Sequence, residues 1–170
     1  MRNHKPLYIR APRVGDGAGL ARSWIDAARY YAQLAPDLFQ VPLEEGLAAW
    51  LEEGLLNVSA EELILVAEYA GQVIGFIHAA IQPPLATAAR QFVRDVAYPR
   101  LSIQALVVQQ AYWRHGIGTQ LLTTAEEWGR SKGASIALLD TYGESPISLP
   151  FYQQRMGYQR RAIHLRKLLG

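Results

Sequence analysis

The spacing of apolar residues changes several times along the chain, and each change marks an element. Leu7-Tyr8-Ile9-Arg10 is short and β-prone. Pro12 and Gly15 follow, then a helical stretch that Asp16 stands ready to N-cap. Leu20, Trp24, Ala27, Ala28 and Tyr31 recur there at helical steps, giving one apolar stripe that ends at Pro36. A second helix, from about Leu43 to Glu53, places Leu47, Trp50 and Leu51 inside, so Glu44, Glu45, Glu52 and Glu53 face outward or into a cleft. The spacing then shortens to a strand's: Leu63–Tyr69 and Val73–Ile81, joined by Ala70-Gly71-Gln72, predict an antiparallel hairpin. Pro83-Pro84 ends it, and residues 85–99 read only as loop or loose helix.

Leu101–Val108 alternates and then becomes continuously apolar, the pattern of a central strand buried on both faces. A loop leads through Gly116-Ile117-Gly118-Thr119 into a helix over Gln120 to about Lys132, with Leu121, Leu122, Ala125 and Trp128 inside and Gly133 as its C-terminal cap. Ile136–Asp140 predicts a strand, Pro146–Met156 a short helix, and Tyr158–Leu169 an alternating strand. The order β-α-α-β-β-β-α-β-α-β argues a mixed α/β sheet flanked by helices, one domain spanning residues 1–170.

Composition narrows the chemistry. Hydrophobic residues make up 50% of the 170 and charged ones 19%, enough to bury a core and too little charge for disorder. With no cysteine, thiol chemistry and zinc-finger sites are excluded, and the histidines at 4, 78, 115 and 164 lack metal-ligand spacing. The opening MRNHKPLYIR has no apolar signal core, and no stretch approaches about 18 uninterrupted apolar residues, so a cytoplasmic protein with no membrane partner is expected. The net charge of +2 gives no reason to expect nucleic acid. Its distribution is uneven: residues 1–29 carry six basic and two acidic side chains, residues 30–89 none and eight, residues 90–170 eleven and five. The basic tail from Arg160-Arg161 to Arg166-Lys167 fits a solubilised strand edge or a dimer contact, which leaves monomer and homodimer open.

The most informative stretch runs from Val107 to Leu122. A buried strand feeds a glycine loop that opens a helix, so backbone N–H groups converge at the positive end of the helix dipole with no Cβ in the way, a setting for phosphate. A P-loop needs Gly-Lys-Ser/Thr, and no Lys is present. A dinucleotide fingerprint needs a third glycine where Leu121 stands, although Asp140 lies at a distance suited to a ribose; a nucleotide-dependent oxidoreductase therefore stays as an alternative.

These residues resemble the GCN5-related N-acetyltransferases, whose signature Arg/Gln-x-x-Gly-x-Gly/Ala lies between the fourth strand and third helix. The resemblance covers nearly the whole chain and implies that family's mixed sheet and an activity dependent on acetyl-CoA. It implies that Leu106, Val107 and Val108 offer backbone groups to the pantetheine arm. It also implies that Trp113, Arg114, His115, Gly116, Ile117, Gly118 and Thr119 surround the pyrophosphate. Trp113 occupies the Arg/Gln position, and Arg114 follows it. A second motif, Ser145 to Tyr158, is similar to the family's Asn-x-x-Ala-x-x-x-Tyr…Gly-Phe segment. Ser145 stands for Asn and Ser148 for Ala, both implied to border the cofactor, and four residues separate Tyr152 from Gly157, one more than the family's spacing. The resemblance makes Tyr152 the acid that protonates the leaving thiolate, a task suited to a phenol with an ordinary pKa of about 10.

Many relatives carry a Glu on the fourth strand as general base; here that position is Gln104, which cannot take a proton. His78, Glu68 and Asp95 are the alternatives, with His78 best suited to neutral pH. Tyr30, Tyr31, Glu44 and Glu68 are expected to border the acceptor, a small-molecule or peptide amine. The acidic middle segment, through Asp37, Glu44 and Glu45, points to a cationic one. A non-catalytic acyl-CoA sensor is the competing reading, with Gln104 and Ser145 as its warnings.

Overall fold

The computed structural model describes residues 6–170, which fall into two compact units, one ending at Asp140 and one spanning Thr141–Gly170. The first unit is built on a five-stranded sheet in chain order: β1 (Leu7–Arg10), β2 (Glu62–Tyr69), β3 (Gln72–Gln82), β4 (Arg100–Val108) and β5 (Ile136–Leu139). β1 through β4 pair antiparallel, and β5 pairs parallel to β4. The sheet is thus mixed, as expected, and is not the doubly wound parallel sheet that a dinucleotide fold requires. The β2–β3 hairpin turns on Ala70 and Gly71, both with positive φ (54° and 79°), the backbone of a turn that follows the strand twist.

Helices α1 (Gly17–Leu34) and α2 (Leu47–Leu56) cover one face of the sheet. Leu20 and Ile25 of α1 and Leu47, Leu51 and Leu55 of α2 bury against Ile64, Val66, Val73, Phe76 and Val107, with the Trp24 ring stacked 6.1 Å from Phe76. Small residues let α1 sit this low. A Cβ on Gly19 would lie 2.6 Å from the Val73 Cβ, and one on Gly17 would lie 2.5 Å from the Ala48 carbonyl oxygen of α2. Helix α3 (Ile117–Ser131) packs on the opposite face through Leu121, Leu122 and Ala125, with Gly129 against Leu101. No helix among the described residues is long and apolar enough to cross a membrane.

Several sequence expectations need correction. The second helix starts at Leu47 rather than Leu43, because Gly46 (φ 75°) sets the turn that opens it, and Trp50 points outward at 65% exposure. Asp16 precedes α1 without a side-chain cap; its carboxylate takes the Arg10 guanidinium at 2.8 and 2.9 Å and the Arg13 amide. The cap comes from another helix: Glu52 Oε2, expected to face outward or into a cleft, accepts the amides of Gly15 (3.0 Å) and Gly17 (2.7 Å). Residues 85–99 form two single helical turns, Ala88–Arg90 and Arg94–Ala97. The expected last strand, 158–169, forms none: alternation supplies a face but not a second strand to pair with, and Ile163 and Leu165 are 71% and 93% exposed.

Burial works against the charge on Asp16, but Arg10 and the Arg13 amide outweigh it and hold the carboxyl below its ordinary pKa. A depressed carboxyl contributes stability above its unfolded pKa that is lost as pH falls through the folded one, so Asp16→Asn flattens the acid limb of a urea-midpoint-versus-pH curve. Glu52→Ala, which strips the acceptor from two amides at the start of α1, lowers stability by about 1–2 kcal/mol in urea denaturation. Glu53→Ala, on the exposed side, changes it by less than about 0.5 kcal/mol.

Candidate functional site

The site grows from a mismatch between β4 and β5. β5 pairs only with Arg100–Ile103, whereas β4 stays paired to β3 up to Gly75↔Val108. Among the described residues, no strand pairs with the other edge of β4 from Gln104 onward. Gln104 is the extra residue of a bulge, since Ala105 pairs with His78 and Ile103 with Ala79. Beyond it the backbone alternates. A Cβ on Gly75 would lie 2.5 Å from the Val107 carbonyl oxygen, so Val107 faces β3, as does Gln109, whose amide donates to the Ile74 carbonyl at 2.9 Å. The backbone groups of Leu106 and Val108 therefore face the open side.

The loop after β4 is fastened at its start and open at its end. Gln109 Nε2 donates to Ser23 Oγ (3.0 Å) and the Val73 carbonyl (3.3 Å). The Gln110 amide donates to Asp26 Oδ2 at 2.6 Å, and Gln110 Nε2 reaches the Asp26 carbonyl and Oδ1. The Trp113 indole N–H donates to the Val108 carbonyl at 2.6 Å while its ring stands edge-on to Tyr30 at 5.0 Å. Arg114 then adopts φ 64°, which costs a residue with a Cβ about 1–2 kcal/mol. Gly116, at φ 78°, turns the chain into α3. The first intrahelical bond runs from the Gln120 amide to the Gly116 carbonyl, so the amides of Ile117 and Gly118 lie at the positive end of α3 ahead of that ladder.

Trp113 thus ties the loop back to β4 and α1. Tyr30 and Tyr31, expected at the acceptor, form an aromatic chain with Trp113 and Phe39. Glu68 is engaged by Arg10 Nε at 2.6 Å and by Arg13 at 3.2 Å. Glu44 sits 3.4 Å from Arg29, both exposed, and Asp95 lies in the Arg94–Ala97 turn. His78 lies on the sheet face under α1 and α2, opposite Ala105, and its Nε2 meets Glu62 Oε1 at 3.0 Å. His115 Nδ1 bonds the Trp113 carbonyl at 2.8 Å, and Thr119 stands in the first turn of α3.

In the second unit Ser145 is buried, and its hydroxyl accepts the Ser148 amide at 3.0 Å, opening the turn Ser148–Pro150. A π-helical turn follows over Phe151–Arg155, with Tyr152 between the Phe151 and Tyr158 rings. A π turn is a helix with one residue inserted. The extra residue between Tyr152 and Gly157 is absorbed there, and Gly157 (φ 77°) ends the segment.

Sequence reading missed Ser23, Asp26, Glu62 and Gln110. Ser23 and Asp26 share the sheet-facing side of α1 with Leu20, and two polar residues beside an apolar stripe were the signal available. Asp26→Ala strips the acceptor from the Gln110 amide. Hydrogen exchange at Gln110 is expected to rise about tenfold or more, with exchange in β2 unchanged.

The model of the acetyltransferase (GNAT) family matches residues 24–158. Acetyl transferase GW6a of Oryza sativa subsp. japonica is 32% identical over 104 residues, 58% of this chain and 24% of that protein, so the chain spans about a quarter of that relative's length. The fold is similar to that of a transcriptional regulator from Bacillus halodurans C-125 (TM-score 0.72, 19% identity, 96% of this chain and 100% of that one). It is also similar to that of the aminoglycoside N-acetyltransferase AAC(6')-Iy in complex with CoA (TM-score 0.66, 22% identity, 98% of each chain).

Proposed function

The chain belongs to the acetyltransferase (GNAT) family, and on that premise we propose that it is an acetyl-CoA-dependent N-acetyltransferase with a primary amine as acceptor. The observation that carries this reading is the parting of β4 from β5 directly below a glycine loop and the amide end of α3. The residues present suit such a ligand. The amides around Gly116 and Gly118 offer donors to a pyrophosphate where the helix dipole favours negative charge. Leu106 and the Val108 amide offer an extended arm the groups that β5 leaves unpaired, while the Val108 carbonyl is held by Trp113. Acetyl-CoA supplies an acetyl group already activated as a thioester, so the protein needs no nucleophile of its own, and the chain has no cysteine.

In this reading Tyr152 donates the proton that the departing sulfur takes. The acceptor is cationic at rest and is drawn by Asp37, Glu44 and Glu45. The likeness to an aminoglycoside N-acetyltransferase supports a small amine of this kind. Gln104, exposed on the β4 bulge where many relatives carry Glu, favours a second reading in which the domain binds acyl-CoA without turning it over.

Acetyl-CoA at about 100 times its Kd should stabilise the folded chain by ~2.7 kcal/mol, a rise of about 5–10 °C in Tm, with no rise for NAD. Gly116→Val, which forces a β-branched residue to positive φ, should remove that shift. Thiol release across polyamines, aminoglycosides and amino-acid amides then separates enzyme from sensor: turnover establishes the transferase, and binding without turnover on any amine establishes the sensor. Charge reversal at Glu44 and Glu45 should raise the acceptor KM in a salt-sensitive manner; an unchanged KM removes the steering argument.

A further inference from the structure

We infer that His78 is the group that takes the acceptor's proton and that Glu62, through its hydrogen bond to His78, is the positioning residue that fixes which ring nitrogen does so. This rests on the transferase reading above and supplies the base that Gln104 cannot be. The argument begins with the strand. With a pyrophosphate at the end of β4 and an arm running back along Val108 and Leu106, the thioester falls near Ala105 and the Gln104 bulge. His78 is the direct cross-strand partner of Ala105, on a neighbouring strand about 5 Å away. It is the histidine on this part of the sheet, and its side chain is 20% exposed rather than sealed in the core.

The chemistry of the pair assigns the tautomer. An ionised carboxylate only accepts hydrogen bonds. The Ser59 amide and then His78 hold Glu62 below its ordinary pKa, so at neutral pH Glu62 is ionised. The Ser59 amide occupies Oε2 at 3.0 Å, which turns Oε1 toward His78 Nε2, also at 3.0 Å. Neutral His78 therefore carries its proton on Nε2, and Nδ1 presents a lone pair. This is the pattern of a base oriented by a third group. Arg100 of β4 lies further along this face: it opposes Gln82, four residues beyond His78 on β3, and its guanidinium donates to the Pro83 carbonyl. In the transfer itself, Nδ1 takes one proton from the acceptor's ammonium. The freed lone pair forms the C–N bond to the acyl carbon, the C–S bond breaks, and the sulfur leaves with its electron pair and is protonated, a proton balanced by the second N–H proton that the nitrogen loses as the amide forms. The products are an amide, the CoA thiol and a histidine that returns its proton to solvent.

The test uses bromoacetyl-CoA on the full chain and needs no knowledge of the acceptor. Its bromomethyl carbon sits where the acetyl methyl would, and attack by Nδ1 displaces bromide and leaves a histidine-linked CoA thioester. No cysteine competes. Peptide mass spectrometry is expected to find the adduct on His78, blocked by excess CoA, absent in His78→Gln and slowed about tenfold or more in Glu62→Gln. Both variants should keep the acetyl-CoA Tm shift, which separates this role from folding and from cofactor binding. With the Tm shift present, CoA-protected labelling at another residue, or no labelling, overturns the assignment of His78. Labelling of His78 at an undiminished rate in Glu62→Gln overturns the role of Glu62. If acetyl-CoA gives no Tm shift to the unaltered chain, the transferase reading fails, and this inference fails with it.

Discussion

A strand edge without a partner exposes amides and carbonyls that must find water, a side chain or a ligand. Most proteins confine that condition to the outside of a sheet. Here it occurs beside a glycine loop, because β5 is four residues long while β4 runs for nine and, apart from the bulged Gln104, stays paired on its other side. The bulge at Gln104 marks where pairing to β5 has ended, and from there Leu106 and Val108 turn their polar groups to the gap. Everything proposed for the molecule depends on this: the arm's path, the place of the thioester and the relevance of His78.

An open edge is useful only if its geometry holds, and α1 supplies that. Gly17 and Gly19 let the helix approach α2 and β3 so closely that any side chain would collide with backbone or with Val73. At that depth Ser23 can accept from Gln109, Asp26 from the Gln110 amide, and Tyr30 can meet the Trp113 ring. The start of the loop is thus pinned from one helix face while the strained Arg114 and the Gly116 turn remain open to solvent. Pinning one end also explains how a non-glycine residue is kept at positive φ: strain of that size persists where neighbouring contacts over-determine the backbone.

The sheet, its hairpin and the glycine loop were legible because each rests on local periodicity or on a backbone conformation that particular residues signal. Apolar runs on either side of a glycine-containing turn gave β2 and β3, and Gly116 gave the turn into α3. Features that depend on residues distant in sequence were not legible. Glu52 reads as one acid on a polar helix face, yet its partners are amides 35 and 37 residues earlier. Trp113 reads as a lost arginine; its indole bond to Val108 exists only because the loop folds back over β4. The alternation of residues 158–169 was a true pattern with a wrong consequence, since a strand needs a neighbour that periodicity does not provide. The spacing between Tyr152 and Gly157 read as a departure, and its resolution as a π turn requires knowing the helix.

The acidic middle of the chain shows why summed charge is a weaker guide than position. Of its eight acids, Glu52 caps α1, Glu62 holds His78, Glu68 joins Arg10 and Arg13, and Glu61 and Glu44 lie at 3.8 and 3.4 Å from Lys132 and Arg29. A carboxylate that accepts from a cation or an amide within the protein has much of its field cancelled at a distance, and salt screens the rest over about 8–10 Å. Whatever attraction the segment exerts on an acceptor is therefore short in range. The carboxylate that matters most for turnover in the proposed mechanism is then one that acts on no substrate at all. Glu62 acts on a histidine, and it does so from a strand, where the register against β3 fixes its position to within a side-chain rotamer.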